Sequence, residues 1–235
     1  MRKRLLSMFL LLFSGGLLFA QDLPADSTKK SVSDSLSYLE KSSIQLHGGT
    51  QGFGISARYA FLPMLSGRLG GSFGSVKISE GIEFDNLSSD NTLKAELSNL
   101  HLWAEFSPLS WLRINAGAGY FFKLKAKAVT VPNESITQDG ITLEPEEIGS
   151  LTTEVSYKKF APYFGLGLGR GIPKHRFNVN FDIGTYYLSS PHVTMTGTEY
   201  LEDNSHNGPI LERNMRDYRW LPVLQLNLSF KLSKS

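Results

Sequence analysis

An uninterrupted two-residue alternation over residues 112–128 constrains the fold more than any other feature of the chain. Its even positions are apolar or aromatic throughout, whereas its odd positions are mostly polar, basic or glycine. Such a period indicates an extended strand with one apolar face. Strands in soluble proteins usually have about 5–6 residues, and a membrane-spanning strand needs roughly 9–11. The length of this segment therefore predicts a strand of a transmembrane β-barrel.

Similar alternation recurs along the chain, in segments separated by connections of two kinds. The clearest further segments are residues 53–61, 100–106, 160–168, 177–187 and 224–232. Short turns are predicted at 62–66, 107–110 and 170–175, and long polar loops at 79–92, 130–150 and 191–218. Short turns at one end and long loops at the other are typical of outer-membrane barrels, whose loops face the outside.

These connections also predict the number of strands. They define seven strands from residue 53 onwards, of which residues 67–78 form the weakest because that segment contains four glycines. Bacterial single-chain barrels usually have an even number of strands, so an eighth is expected before residue 53. Residues 43–47 are its candidate. We therefore predict an all-β fold, an 8-stranded antiparallel transmembrane β-barrel.

The N-terminal residues have the composition of a secretory signal peptide. Three basic residues at positions 2–4 precede an apolar run over residues 5–18, and Ala20 follows as a small residue. The run is shorter than the roughly 20 residues of a spanning helix, which favours cleavage after Ala20 over a retained anchor. The expected organisation is a removed signal peptide at 1–20, a polar periplasmic leader at 21–42 and a barrel in the cell outer membrane at 43–235.

The composition excludes several other classes of protein. The chain contains no cysteine, which excludes a lipid-modified N-terminus and a disulfide scaffold. It carries 24 Lys and Arg against 22 Asp and Glu, so removal of the three basic residues of the signal leaves a mature charge of −1. A nucleic-acid partner would need a concentrated basic surface, and none is expected here.

Four charged residues share the inward face of the predicted barrel near its periplasmic turns. They are Arg58, Glu105, Arg113 and Asp182. Charges inside a narrow lumen are tolerated when they are paired, and the mixed signs of these four allow pairing. We therefore predict an ion-paired plug with a structural role. The inward glycines at positions 117, 119, 165, 167 and 184 permit a thin lumen.

Aromatic residues near the predicted strand ends are candidates for the two interfacial girdles of a membrane barrel. They are Phe61, Trp103, Phe106, Trp111, Tyr163, Tyr187 and Trp220.

Three lysines follow one another at odd positions of the segment with which we began. Lys123, Lys125 and Lys127 are expected to face the lumen and to form a basic mouth toward the outside. Such a row could draw anions or lipopolysaccharide phosphates to the mouth. A solvated barrel wall is the simpler interpretation, and the one we favour.

The search for catalytic, cofactor and metal motifs yields little. The segment Gly165-x-Gly167-x-Gly169 lacks the spacing and the following helix of a nucleotide-binding loop, so curvature of the strand explains it better. The histidines are scattered without ligand spacing, and no metal site or cofactor is expected. The best catalytic candidate combines Ser189 or Ser190 with His192 at the outer rim, because a hydroxyl and an imidazole can form a nucleophile. A simple turn at the end of a strand is the favoured alternative.

Several local motifs resemble those of a known group of proteins. They are the Gly-Thr-x-Gly-x-Gly run of residues 49–54, the segment 161–169 (Ala-Pro-Tyr-Phe-Gly-Leu-Gly-Leu-Gly), the Ser190-Pro191 pair and the segment 219–224 (Arg-Trp-Leu-Pro-Val-Leu). With these motifs the chain resembles small outer-membrane β-barrel proteins of Gram-negative bacteria, in the broad OmpA, OmpW and opacity-protein class. The resemblance implies contacts with outer-membrane lipid and lipopolysaccharide, and assembly by the barrel-assembly machinery. Such barrels usually end on an aromatic residue, whereas Phe230 is followed by five more residues.

Together these observations predict an integral outer-membrane protein that is monomeric and not an enzyme. Its expected role is structural or one of surface contact, through acidic extracellular loops. The first alternative is a narrow channel for small or apolar molecules, as in OmpW-like proteins. The second is a lipid-modifying enzyme whose site lies at the rim.

Overall fold

The chain folds into a closed ring of eight antiparallel strands with an extended sheet above one side. The computed structural model describes residues 38–84, 87–138 and 141–232. The predicted signal peptide at 1–20 and residues 21–37 of the predicted leader lie outside these ranges. The strands are β1 (Ser42–Gly49), β2 (Gly52–Leu62), β3 (Leu65–Phe84), β4 (Leu87–Leu109), β5 (Leu112–Pro132), β6 (Ile136–Gln138), β7 (Ile141–Leu143), β8 (Leu151–Ser156), β9 (Phe160–Leu168), β10 (Phe177–Tyr187), β11 (His192–Gly197) and β12 (Trp220–Lys231).

Eight of these strands form the ring, in the order β1-β2-β3-β4-β5-β9-β10-β12, and β12 pairs with β1 to close it. The closing register runs from Ser43 opposite Lys231 to Gly49 opposite Gln225. The fold class predicted from the alternation is therefore confirmed. The eighth strand, expected at residues 43–47, is β1, and a two-residue turn connects it to β2.

The two faces of the wall differ as the alternation requires. Along β9 the side chains are alternately exposed and buried, and the exposed set is apolar, with Phe160 65% and Phe164 59% exposed. On β2, Phe53 is 81% exposed whereas Arg58 is 2% exposed. Apolar side chains outside and polar side chains inside are the reverse of a soluble protein and match a wall that faces lipid.

Above the ring, β3, β4 and β5 continue as an extended sheet. The predicted loop at 79–92 is instead the tip of a long hairpin, in which Ser79 lies opposite Thr92 and Phe84 opposite Leu87. Polar residues can form strands here because both faces of the hairpin lie beyond the apolar belt, so no apolar stripe marks them in the sequence. Strands β8 and β11 extend this sheet from the edge of β5.

The strand predicted at 152–169 is divided into β8 and β9 by residues 157–159. β5 pairs with β9 up to Tyr120 opposite Phe160 and with β8 from Lys125 opposite Ser156. The same part of β5 contains a β-bulge, because Asn99 lies opposite Phe121 whereas Ser98 lies opposite Lys123. Phe122 is thus the extra residue. A bulge of one residue moves every later side chain of the strand to the other face.

The two remaining predicted loops also contain regular structure. Residues 130–150 include the small β6–β7 hairpin and a short helix, α1 (Pro145–Ile148), with Glu144 and Glu147 in a capping box. Residues 191–218 include β11, a 3-10 helix (Glu199–Asn207) and helix α2 (Gly208–Met215). Among the described residues, no helix is long and apolar enough to cross a membrane.

Candidate functional site: the filled lumen

A buried cluster of ion pairs crosses the ring near its short turns. Glu105 on β4 accepts hydrogen bonds from Arg58 on β2, at 2.6 Å from Nε and 3.1 Å from Nη2. It also accepts one from Nε of Arg68 on β3 at 2.5 Å and one from the Ser66 hydroxyl at 3.3 Å. All three charged side chains are at most 1% exposed. Glu105 therefore joins two guanidinium groups from different strands.

Asp182 on β10 forms the second half of the cluster. Its Oδ2 accepts from Nη1 of Arg68 at 2.7 Å, and its Oδ1 accepts from Nη2 of Arg113 at 2.7 Å. The side-chain amides of Asn115 and Asn227 donate to the same carboxylate at 3.2 and 2.8 Å. Arg68 thus bonds to both carboxylates and connects the two halves of the cluster.

The structure brings the four residues predicted for the plug together and adds Arg68 to them. Three guanidinium groups face two carboxylates, which leaves one excess positive charge. Backbone oxygens help to satisfy it, since Arg58 donates to the carbonyl of Gly171 and Arg113 to that of Gly169. Arg68 was missed because its strand is rich in glycine. Arg68 lies directly opposite Arg58 on the neighbouring strand, and this position indicates that both side chains share the inner face.

A layer of amide side chains lies beside the ion pairs and crosses the seam of the ring. Asn227 donates to Asn180 at 2.9 Å and accepts from Gln45 at 2.7 Å, while Asn180 donates to Ser229 at 2.9 Å. These residues belong to β1, β10 and β12 and are at most 3% exposed. Buried amides are costly unless they are bonded, so this network favours one register for the closing strands.

An aromatic layer covers the ion pairs on the side of the extended sheet. The Trp103 and Tyr163 rings stack with centroids 4.0 Å apart and planes 6° apart, and the Arg68 guanidinium lies 4.7 Å from the Trp103 ring. Tyr186 and Phe121 pack edge to face at 5.2 Å. All four rings are at most 3% exposed. The prediction that Trp103 and Tyr163 belong to the outer girdles is wrong, because both residues have the inward parity of their strands.

Glycines of the inner face make room for these side chains. A Cβ atom at Gly167 would lie 2.5 Å from Nη2 of Arg113 and 2.6 Å from Oδ1 of Asp182. A Cβ atom at Gly184 would lie 2.4 Å from the Tyr163 hydroxyl. A single methyl group would therefore displace the Arg113–Asp182 pair at position 167 and the Tyr163 ring at position 184.

The filled section has a shallow opening on the side of the short turns. A cavity of about 380 Å³ there is lined by Arg58, Arg113 and Arg170 together with residues of the turns. It ends at the buried cluster, since Arg58 and Arg113 are at most 2% exposed.

The three lysines predicted for the mouth of the lumen lie elsewhere. Lys123 lies opposite Ser98 in the pairing of β5 with β4. Ser98 points away from the lumen, because its neighbour Asn99 is fully buried inside it. Leu124, and not Lys123, packs against the buried aromatic layer of the lumen. The bulge at Phe122 reverses the faces of β5, so Lys123, Lys125 and Lys127 project from the outer surface of the wall and not into the lumen.

The residues of the catalytic candidate are not arranged as a nucleophile and its base. The Ser189 hydroxyl donates to the carbonyl of Ser190 at 2.9 Å, and the Ser190 hydroxyl accepts from Arg219. His192 Nδ1 lies 3.0 Å from Oε2 of Glu212, and the backbone N–H of Val193 holds the pKa of Glu212 below its usual range. In the described ranges, no hydrogen bond joins His192 to either serine, and no group of three His, Asp or Glu residues is placed to hold a metal ion.

The closed ring, its apolar outer surface and its polar filled interior define a small β-barrel of the outer-membrane type. No protein-family model matches the chain, and no curated protein matches it. Among solved structures it is similar to CarO of Acinetobacter baumannii, with 23% identity and a TM-score of 0.56 over 80% of this chain and 96% of that chain. CarO2 of the same organism gives 23% identity and a TM-score of 0.54, over 80% and 97%.

The chain also matches Ail, the attachment invasion locus protein of Yersinia pestis, with 14% identity and a TM-score of 0.32 over 80% of this chain and 92% of that chain. CarO and Ail are outer-membrane β-barrel proteins. The likeness to the two CarO structures supports the barrel fold.

Proposed function

We propose that this protein is an integral barrel of the outer membrane with a closed lumen, and that it acts through its extracellular sheet and not as a channel or an enzyme. The observation that carries the proposal is the plug. Ion pairs, amides and stacked rings from all eight strands of the ring fill one section of the lumen, and their side chains are at most 3% exposed. A solute on a straight path through the ring would have to displace this cluster.

The outer surface supports the location. Exposed apolar and aromatic side chains cover the wall, with Phe61 and Trp111 near the short turns and Tyr187 and Trp220 near the opposite end. Rings of aromatic residues at both ends of an apolar band are typical of barrels in the outer membrane. The fold of the CarO structures supports the same location.

The extended sheet supports a role in surface contact. β3, β4, β5, β8 and β11 carry the wall beyond the ring, and the 3-10 helix and helix α2 lie against β11. Exposed acids of this region include Glu144, Glu146, Glu199, Glu202 and Asp203. An acidic, hydrogen-bonded structure at this end offers a hydrophilic surface to the exterior.

Planar-bilayer recording of the folded protein tests the closed lumen. We expect no discrete current from the wild-type protein, and none from Leu102→Ala, which removes a lipid-facing side chain from β4. The paired variant Trp103→Ala with Tyr163→Ala removes both stacked rings and should give measurable steps if the rings seal the lumen. Discrete currents from the wild-type protein, or swelling of liposomes that contain it in small neutral solutes, would support the channel alternative instead.

A further inference from the structure

We propose that the outer wall of the extended sheet binds the phosphate groups of lipid A in the surrounding outer leaflet. The site is the lysine face, which we define as the residues Lys77, Lys94, Lys123, Lys125 and Lys127. This inference rests on the proposed location in the outer membrane. It concerns the outer surface of the wall, which the plug does not involve.

The register of three adjacent strands places the five lysines on one surface. Lys77 on β3 lies opposite Lys94 on β4, and Lys94 lies opposite Lys127 on β5. Lys125 and Lys123 follow on β5 at the same parity, toward the ring. Residues opposite each other in a sheet project from the same face. The five lysines therefore lie on one surface of the sheet.

Three of the five lysines oppose one another directly, an arrangement that a bound anion would stabilise. Lys77, Lys94 and Lys127 form a row of three directly opposed lysines across three strands. Directly opposite side chains have Cβ atoms about 4.5–5.5 Å apart, and like charges at such positions are destabilising. A phosphate group between the side chains would remove this repulsion, because each ammonium can donate hydrogen bonds to its oxygens.

The lysine face begins where the lipid-facing aromatic side chains end. Phe73 lies in the same cross-strand row as Ser98 and Lys123, and its side chain is 65% exposed. Phe122, which precedes Lys123, is 56% exposed. At a rise of about 3.3 Å per residue, Lys125 and Lys127 lie roughly 7 and 13 Å further along the strand. A bilayer whose acyl chains end near Phe73 and Phe122 would place its headgroups at the level of these lysines.

Carboxylates of the same surface neutralise part of its charge. Glu96 pairs with Lys94 at 3.1 Å and Lys123 at 3.9 Å, and the hydrogen bond from Lys94 holds the pKa of Glu96 below its usual range. Glu154 on β8 lies opposite Lys127, and Asp90 has the same parity further from the ring. Among the side chains that the structure describes on this surface, five ammonium groups face these three carboxylates, which leaves an excess positive charge.

The continuity of the surface favours a lipid over a soluble anion. The lysine face is an extension of the wall that presents Phe73 and Phe122 to the acyl chains, so one lipid A molecule can lie along both parts. A free phosphate would gain the charge contacts alone, on a surface open to water, where screening makes them weak.

The test measures binding of lipid A to the folded protein in neutral detergent, by native mass spectrometry and by fluorescence titration. The variant Lys123→Gln, Lys125→Gln, Lys127→Gln removes three charges of the lysine face. The matched control Lys174→Gln, Arg176→Gln, Lys231→Gln removes three charges at the opposite end of the ring. Heat-modifiable mobility on gels verifies that each variant is folded before binding is measured.

A basic residue near an anionic membrane surface contributes about 1 kcal/mol, so we expect the lysine-face variant to weaken lipid A binding at least about tenfold. The control should remain within about twofold of the wild-type protein. Dephosphorylated lipid A should bind the wild-type protein as weakly as lipid A binds the variant, and millimolar inorganic phosphate should not compete. Equal binding of phosphorylated and dephosphorylated lipid, or equal loss in the control, would overturn the proposal. So would full competition by inorganic phosphate, which would indicate a site for the free anion. A wild-type protein that binds lipid A in this way but conducts in a bilayer would contradict the closed lumen alone.

Discussion

Replacement of Glu105 by glutamine should destabilise the barrel far more than its conservative size suggests. The substitution keeps the shape of the side chain and removes one of the two carboxylates that face Arg58, Arg68 and Arg113. Three buried guanidinium groups would then share Asp182, and the excess charge inside the ring would rise by one. Loss of one partner of a buried ion pair costs about 3–5 kcal/mol, because the remaining charge is left without compensation.

The measurement is a urea titration of the protein folded in lipid vesicles, with two probes. Tryptophan fluorescence reports on Trp103, whose ring centroid lies 4.0 Å from that of Tyr163 next to the cluster, together with the exposed Trp111 and Trp220. Gel mobility without heating reports on the closed ring. We expect Glu105→Gln to lower the free energy of unfolding by about 3–5 kcal/mol with both probes. Asp217→Asn is the matched control, since its side chain is 86% exposed and its contact with Arg216 is 3.7 Å long. It should cost less than about 1 kcal/mol.

A double substitution separates the effect of charge from the effect of lost contacts. Arg58→Met with Glu105→Met removes one charge of each sign and returns the excess to its original value. A buried ion pair can often be replaced by apolar side chains of similar volume without net loss. The double variant should therefore be more stable than Glu105→Gln, although it removes more hydrogen bonds. If the single variant stays within about 1 kcal/mol of the wild-type protein, or the double variant is the less stable of the two, the reasoning from charge balance is refuted.

Two further substitutions examine the inner face and the rim. Gly167→Ala should lower the free energy of unfolding by about 1–3 kcal/mol, because the new Cβ overlaps the Arg113–Asp182 pair, and the same urea titration measures it. Gly71→Ala is its control, since the nearest atom to the added Cβ is 3.4 Å away, and an equal loss in the two variants would contradict the argument from space. His192→Ala should leave the lipid composition of outer membranes unchanged in mass-spectrometric profiles, because His192 pairs with Glu212 and not with a serine hydroxyl. A changed profile would instead favour the enzymatic alternative.

Side-chain parity predicted the interior well wherever a strand was regular. Arg58, Glu105, Arg113 and Asp182 could be assigned to one interior because each lies between apolar neighbours on an alternating strand. The same rule, applied to Trp103, would have placed it inside. Its aromatic character suggested a membrane interface instead. For a side chain in a barrel wall, parity is the stronger signal, since the face is set by the backbone.

The lysines show why parity fails at an irregularity. The sequence around Phe122 gives one sign of a bulge, because Phe121 is the single apolar residue at an odd position of residues 112–128, but the alternation of the other positions continues through it and hides the change of face. The bulge becomes evident in the register of β5 against β4, which depends on residues distant in the chain. The hairpin tip at 79–92 was missed for a different reason. Strands that leave the membrane need no apolar stripe, so their sequence resembles that of a polar loop.

The seam between β1 and β12 has a consequence for the order of biosynthesis. Gln45 and Asn227, which bond across it, are separated by 182 positions in the chain. A ribosome therefore releases the first edge of the wall long before it makes the strand that covers it. Until then each partial sheet has two open edges, whose unpaired backbone groups cannot be satisfied in hydrocarbon. The nascent chain thus has no stable intermediate in a bilayer that could be completed strand by strand. Closure must follow the synthesis of the whole polypeptide, and a chain terminated before Trp220 would have no closed state to reach.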